Sequence, residues 1–136
     1  MHRIDIGEKH LSLEDFQKVL YSSAKILLTK EVLLKVNRSF DFLKEFSKDK
    51  VIYGVNTGFG PMAPYIIRKD QSTELQYNLI RSHASGTGKI LPADCLKAVI
   101  LARLGSLIQG YSGIHEEAVL LLQELVNQEV FPVIYE

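Results

Sequence analysis

In the first third of the chain, apolar positions recur at helical spacing in two stretches. The first stretch opens at Ser12, which stands three residues before Asp15 in a capping-box arrangement, and it ends near Ser22. The second begins after Thr29, and charged residues occupy its other face. The apolar members are Leu13, Phe16 and Leu20 in the first stretch and Leu33, Val36, Phe40 and Leu43 in the second. The pattern predicts two amphipathic helices.

Three more helices are predicted in the rest of the chain. One covers residues 72–85, the next begins at Pro92 and ends at Gly110, and Ser112 is predicted to cap the last, which ends before Pro132. The apolar positions of the last two are Leu96, Val99, Ile100, Leu104, Leu107 and Ile108, then Ala118, Val119, Leu122, Leu125 and Val126. Five helices without convincing strand pairing predict an all-α chain, packed as a helical bundle in one domain.

The composition narrows the classes of function. The chain has 136 residues, of which 46% are apolar, enough to bury a core. Lys and Arg number 16, as do Asp and Glu, so no surplus of positive charge favours nucleic acid or a membrane surface as a partner. The apolar runs are far shorter than the ~18 residues that span a bilayer, which predicts a cytoplasmic protein. The single cysteine, Cys95, is expected to pack in the interior and not to react.

A glycine-rich stretch interrupts the helical pattern between the second and third helices. After a brief extended piece at residues 51–52, the sequence from Tyr53 to Pro61 reads YGVNTGFGP. The glycine spacing is GxxxGxG and no Lys-Ser/Thr follows, so this is neither a dinucleotide-binding nor a Walker loop. Its glycines allow positive φ angles and close backbone approach, while Tyr53, Asn56 and Thr57 add polar groups. A tight connection and a mobile binding loop both fit this pattern.

His83 follows Leu79 by one helical turn and lies on the same side of the predicted helix as Ile80. A histidine beside an apolar face usually packs against it, whereas a position at a glycine-terminated helix end favours a cleft. Both interpretations stay open from the residues alone. The other histidines, His2, His10 and His115, have no partner at metal-ligand spacing, so no metal site is predicted.

Four motifs then occur in a specific order and spacing. They read YGVNTGFGP, LQYNLIRSHASGTG, LARLGSLIQGYSG and FPVIYE, and the region that contains them extends from Val51 to Glu136. Here the chain resembles the N-terminal part of the histidine and aromatic amino-acid ammonia-lyases. The resemblance implies a mostly helical homotetramer that builds each active site from several subunits. It also implies a small-molecule substrate, an aromatic or imidazole α-amino acid, which loses ammonia to give a trans-α,β-unsaturated acid.

The resemblance assigns roles to three residues. Tyr53 corresponds to the base that takes a proton from the substrate's β-carbon; a free tyrosine has a pKa of about 10, so such a base needs surroundings that make it more acidic. Gly60 matches the position whose missing side chain leaves space beside the substrate. His83 resembles the residue that meets the far end of the substrate side chain and selects it. The implied cofactor is MIO, a methylidene-imidazolone electrophile formed by cyclisation of an internal Ala-Ser-Gly.

The tripeptide Ala84-Ser85-Gly86 spells the MIO precursor but stands in the wrong place for it. The family's precursor follows the proline-containing segment with which this chain ends. We therefore expect residues 1–136 to be the N-terminal helical domain of an ammonia-lyase, truncated before the MIO-forming segment and inactive alone. The apolar terminal sequence VFPVIYE supports this expectation, since no solubilising tail follows it.

The resemblance leaves the substrate open between L-tyrosine and L-histidine, which would give coumarate and urocanate. The pair Ser82-His83 follows the pattern common in histidine lyases. The full run IYGVNTGFGPMA with LQYNLIRSHASGTGK looks most like tyrosine lyases from bacterial pigment clusters and inclines the interpretation towards tyrosine. The alternatives are a tyrosine 2,3-aminomutase on the same scaffold and a noncatalytic helical assembly module.

Overall fold

A computed structural model describes residues 3–7 and 10–135; His2 and Glu136, named above, lie outside the described residues. The secondary structure comprises β1 (Arg3–Ile6), α1 (Leu13–Tyr21), β2 (Lys25–Leu28), α2 (Lys30–Phe46), 3-10 turns at Gly60–Met62 and Lys69–Gln71, α3 (Ser72–His83), α4 (Ala93–Leu107) and α5 (Glu116–Gln128). The chain divides into two compact units, Met1–Phe42 with Gly88–Glu136, and Leu43–Thr87. The five predicted helices and the mostly helical class are confirmed.

The start of α1 is fixed by a capping box, as predicted. The Asp15 amide donates to the Ser12 hydroxyl at 3.2 Å, and the Ser12 amide donates to the Asp15 carboxylate at 3.0 Å. The Ser12 hydroxyl also donates to this carboxylate, at 2.7 Å. These hydrogen bonds hold the pKa of Asp15 below its usual value, because they favour the charged form of the carboxyl. The bond with the Ser12 hydroxyl has the larger effect and the bond with the Ser12 amide the smaller one.

The core of the first unit is shared by α1, the N-terminal part of α2, α4, α5 and the two strands. Its buried members are Ile6, Val19, Ile26, Leu28, Val32, Val36, Ile100, Leu101, Leu104, Leu107, Ile108, Val119 and Val126. Most of the predicted apolar stripe of α4 is buried; Val99 is the exception, at 50% exposure. Burial of each such side chain contributes about 1.5–3 kcal/mol, so this cluster is a large favourable term in the unit's stability.

The prediction that no strands pair is wrong. β1 and β2 form a two-stranded parallel sheet, in register from Arg3 opposite Lys25 to Ile6 opposite Leu28. Each strand has only four residues, too few for an alternating pattern to stand out, and the pairing joins segments on either side of α1. A local reading of the sequence therefore misses the sheet.

Two side chains of α5 hydrogen-bond to the edge of β2. The Leu28 amide donates to Gln123 Oε1 at 2.7 Å. One turn later, Asn127 accepts from the Ile26 amide and donates to the Ile26 carbonyl, both at 2.8 Å. The Asn127 carboxamide thus takes the place of the peptide group of a neighbouring strand. The small sheet is completed by a helix that is distant in sequence.

The predicted cap of α5 at Ser112 is wrong. The cap is His115, whose Nδ1 accepts from the Glu117 amide at 3.3 Å. At Gly113 the chain still contacts α2, because the Gly113 amide donates to Ser39 Oγ at 3.1 Å. This tertiary contact delays the helix start by a few residues, which local capping rules do not anticipate.

The expectation that Cys95 packs in the interior is also wrong, since its side chain is exposed in the first turn of α4. The next two residues, Leu96 and Lys97, take the buried face of that turn. Along the part of the chain that the structure describes, no helix is long and apolar enough to cross a membrane. The same residues contain no cluster of three His, Cys, Asp or Glu side chains that could hold a metal ion.

Candidate active-site loop

The glycine-rich loop lies in the unit Leu43–Thr87 and follows α2 without an intervening strand. The extended piece predicted at residues 51–52 forms no strand pairing. The Ile52 amide donates instead to Asn56 Oδ1 at 2.7 Å, four residues further along the chain. The Ile52 amide is therefore satisfied by a side chain of the loop and not by a neighbouring strand.

Asn56 ties the loop to the segment that leaves α2. Its Nδ2 donates to the Lys50 carbonyl at 2.7 Å and to the Ser47 carbonyl at 3.3 Å. The Asn56 carbonyl accepts from the Ile67 amide at 3.0 Å. Since carbonyl oxygens only accept and backbone amides only donate, these partners fix which side of the Asn56 carboxamide is oxygen and which is nitrogen. Both arms of the loop are anchored at this one residue.

Thr57 is the buried polar residue of the loop, at 2% exposure. Its hydroxyl accepts from the Gly54 amide at 3.2 Å and donates to the Gly58 carbonyl at 2.9 Å. It pairs with Ile66 in an isolated antiparallel bridge. Gly58 permits close packing here, because a Cβ at that position would lie 2.6 Å from the Met62 carbonyl oxygen. These contacts hold the centre of the loop in one conformation.

Tyr53 projects from this anchored backbone with 64% of its surface exposed. Its ring meets Phe59 edge-on, with the ring centres 6.2 Å apart and an interplanar angle of 77°. The Gly60 amide donates to the Tyr53 hydroxyl oxygen at 3.4 Å. The phenol is therefore accessible to a small molecule and is not enclosed by the core.

Gly60 has a backbone φ of +55°, which side-chain-bearing residues adopt only with strain. A Cβ built at Gly60 would find no atom within 4 Å. The position beside the Tyr53 hydroxyl is thus open as well as conformationally special. The role of Gly60 next to a substrate stays a prediction.

His83 is the last residue of α3, and its side chain is exposed, so the structure does not support a core-packing role. Its Nδ1 lies 2.8 Å from the Leu79 carbonyl oxygen and 3.0 Å from Ser82 Oγ. The Ser82 hydroxyl donates to the same carbonyl at 2.9 Å. Because a carbonyl oxygen can only accept, a hydrogen bond to Leu79 requires the tautomer with the proton on Nδ1, in which Nε2 is an acceptor.

The structure joins two of the three predicted site residues. A hydrogen bond links Tyr53 to Gly60, while within residues 3–7 and 10–135 no hydrogen bond or ring contact links Tyr53 to His83. The roles of Asn56 and Thr57 in shaping the loop were missed, although both are residue types that commonly bond to nearby backbone groups in turns.

Two solved enzymes share this fold over essentially the whole chain. The tyrosine aminomutase of Streptomyces globisporus matches with a TM-score of 0.88 at 29% identity, covering 98% of this chain and 26% of that protein. The phenylalanine aminomutase of Pantoea agglomerans matches with a TM-score of 0.88 at 36% identity, covering 100% of this chain and 26% of that protein. The chain thus has the fold of the corresponding part of two aminomutases.

The sequence comparison identifies the family. The family model for aromatic amino acid lyases matches residues 11–136. The chain therefore belongs to the aromatic amino acid lyase family. The histidine ammonia-lyase of Streptococcus gordonii is 41% identical to it, over 99% of this chain and 26% of the relative's length. The chain thus spans about a quarter of the length of these relatives.

Proposed function

We propose that the whole protein containing this chain is an ammonia-lyase that converts L-histidine to urocanate and ammonia. The observation that carries the proposal is the exposed phenol of Tyr53, held on an anchored loop in a chain of this family. The identity of 41% to a histidine ammonia-lyase supports histidine as the first substrate to test.

In the proposed mechanism Tyr53 takes the proton from the β-carbon of the substrate while the amino group leaves as ammonia. The Gly60 amide donates a long hydrogen bond to the Tyr53 oxygen, and the open space at Gly60 leaves room for the substrate beside it. Tyr53 can act as a base but cannot withdraw electrons from the substrate, so the reaction needs an electrophile from another segment of the whole protein. The family's MIO group would supply that electron-withdrawing chemistry. Ala84-Ser85-Gly86 is not proposed as its source, because it follows the end of α3, with the Ser85 amide donating to the His83 carbonyl at 2.9 Å.

His83 supports a substrate whose side chain ends in a hydrogen-bond donor. With Nδ1 committed to the Leu79 carbonyl, the remaining Nε2 accepts. The imidazole N–H of histidine and the phenol O–H of tyrosine can both donate to it, whereas phenylalanine has no donor. We therefore expect phenylalanine to be a poor substrate.

Three other functions are candidates. Tyrosine as substrate, with coumarate as product, follows from the same acceptor at His83. A 2,3-aminomutase is favoured by the two aminomutase structures that share this fold. A noncatalytic helical assembly module is the remaining alternative.

Expression of the whole reading frame separates these functions. Ultraviolet absorbance with histidine, tyrosine and phenylalanine in turn is expected to show urocanate from histidine. Coumarate from tyrosine would favour the tyrosine lyase, and a β-amino acid in the product mixture would favour the aminomutase. A stable assembly that leaves all three amino acids unchanged would favour the module.

Tyr53→Phe tests the base assignment in the whole protein. Turnover is expected to fall by about 10²–10⁴-fold with the helical content unchanged, because only the ionisable hydroxyl is removed. Tyr65→Phe is the matched control, since Tyr65 is an exposed tyrosine of the same unit. Near-normal turnover by Tyr53→Phe would refute the assignment.

His83→Leu tests substrate selection. The preference of this variant for histidine over phenylalanine is expected to shrink by roughly 1–3 kcal/mol, since the hydrogen bond between His83 and the substrate would be lost. Ser82→Ala is the control, because it leaves the contact between His83 and the Leu79 carbonyl in place. Unchanged selectivity in His83→Leu would leave this side chain without a role in recognition.

We also propose a cytoplasmic homotetramer. Exposed apolar side chains on α3 and α5, among them Tyr77, Ile80 and Leu121, support burial of these faces by further protein surface. Light scattering of the whole protein tests the subunit number.

A further inference from the structure

Two side chains of the loop bind the backbone amides of the residues before and after Tyr53. The Ile52 amide, just before it, donates to Asn56 Oδ1 at 2.7 Å. The Gly54 amide, just after it, donates to the Thr57 hydroxyl at 3.2 Å. We propose that Asn56 and Thr57 are positioning residues for the Tyr53 base, an inference that rests on the proposed function. Neither side chain needs to touch the substrate for this role.

The Tyr53 ring itself is weakly held. It is mostly exposed, its hydrogen bond from the Gly60 amide is long at 3.4 Å, and its contact with Phe59 is a single edge-on approach. The location of the phenol oxygen therefore depends on where the backbone places the Tyr53 Cα. The two short-range anchors on the neighbouring amides set that location.

Both anchors are themselves fixed to the rest of the unit. Asn56 donates to the carbonyls of Ser47 and Lys50, in the segment that follows α2. Thr57 is buried and bridges to Ile66 on the returning arm of the loop. A displacement of either side chain would thus move the backbone of Tyr53 relative to the unit that carries it.

Two nearly isosteric substitutions in the whole protein test the proposal. Asn56→Asp removes both donated hydrogen bonds and places a carboxylate against two carbonyl oxygens, whereas Thr57→Val removes only the hydroxyl. In each variant kcat is expected to fall about 10- to 100-fold, with KM changed by less than about 3-fold. Thr57→Ser, which keeps the hydroxyl, is expected to restore turnover, and Thr73→Val on α3 is the control for loss of a threonine hydroxyl elsewhere in the unit.

The isotope effect of substrate deuterated at the β-carbon separates positioning from folding. Poor placement of the base slows proton removal, so the effect on kcat is expected to increase in Asn56→Asp and Thr57→Val. Loss of correctly folded molecules would lower the measured rate and leave the isotope effect unchanged, which would overturn the proposal. Amide exchange is expected to accelerate at Gly54 in Thr57→Val, where the acceptor is lost. It is expected to accelerate at Ile52 in Asn56→Asp, where repulsion from the carbonyls of Ser47 and Lys50 displaces the acceptor.

The outcomes distinguish failure of the positioning role from failure of the proposed function. If Tyr53→Phe keeps normal turnover, the proposed function fails and the positioning role falls with it. If Tyr53→Phe abolishes turnover while Asn56→Asp and Thr57→Val retain wild-type kcat, only the positioning role is refuted. Faster exchange at Ile52 without any change in kcat would likewise refute it, because the loop would have loosened with no effect on the base.

Discussion

The hydrogen bonds from α5 to the edge of β2 predict a specific and local loss of stability when they are removed. In Gln123→Ala the Leu28 amide loses its 2.7 Å partner inside a nearly closed environment. A buried donor left without a partner costs about 1–3 kcal/mol. Asn127→Ala frees both the amide and the carbonyl of Ile26, so we expect its cost to be at least as large. For a chain of this size each kcal/mol lowers the melting temperature by roughly 3–5 °C.

Urea unfolding followed by circular dichroism measures the total cost, and amide exchange locates it. The Leu28 amide is expected to exchange about 10- to 100-fold faster in Gln123→Ala, well beyond any change at helix amides such as Val126. Gln128→Ala is the matched control, because Gln128 lies on the exposed side of the same helix. Equal acceleration at Leu28 and Val126 would mean that lost packing is responsible, and the hydrogen-bond argument would be refuted.

Two further predictions concern charged groups. Glu129, the residue after α5, has a backbone φ of +56°. Its carboxylate pairs at 2.7 Å with Lys97, whose side chain is 7% exposed. The hydrogen bond from Lys97 holds the pKa of Glu129 below its usual value. In the wild-type background, Glu129→Gly is expected to lower the free energy of unfolding in urea, because the buried Lys97 ammonium loses its partner. In the Lys97→Met background, the same substitution is expected to raise it, because only the backbone strain at position 129 is removed. An effect of the same sign in both backgrounds would contradict this. The pKa of Asp15 is lower in the folded protein than in the unfolded chain. Its carboxylate therefore contributes fully to the free energy of unfolding above the usual aspartate pKa of about 3.9, and this contribution is lost as the pH falls through the pKa of the folded state. The gap in unfolding free energy between wild type and Asp15→Asn should thus stay constant from pH 7 to about 5 and close below about 4, and a gap that persists at pH 2 would rule out this carboxylate as its cause.

The features predicted correctly from the sequence are those fixed by nearby residues. The capping box at Ser12 and the apolar stripe around Leu104 need only positions within one or two helical turns, so both were found. The β1–β2 sheet was missed because its partner groups come from opposite sides of α1 and from α5. The start of α5 was misplaced because a contact between Gly113 and Ser39 overrides the local cap.

The candidate site divides in the same way. The loop could be predicted from its glycines and its tyrosine. The backbone freedom of glycine and the ionisable hydroxyl of tyrosine are properties of those residue types wherever they occur. The function of Asn56 could not be read from its type alone, because it depends on which carbonyls the end of α2 presents to it. The exposure of His83 likewise follows from how its unit folds, and the helical pattern allowed either outcome.

The same physical device serves stability in one unit and chemistry in the other. At β2 and in the tyrosine loop, an asparagine carboxamide replaces a missing backbone partner, since it offers an N–H donor and a carbonyl acceptor together, as a peptide group does. An aspartate at either position keeps the acceptor and loses the donor. Asn127 supports the hydrophobic core, so Asn127→Asp should lower the free energy of unfolding. Asn56 supports an exposed phenol, so Asn56→Asp should lower the rate of proton removal.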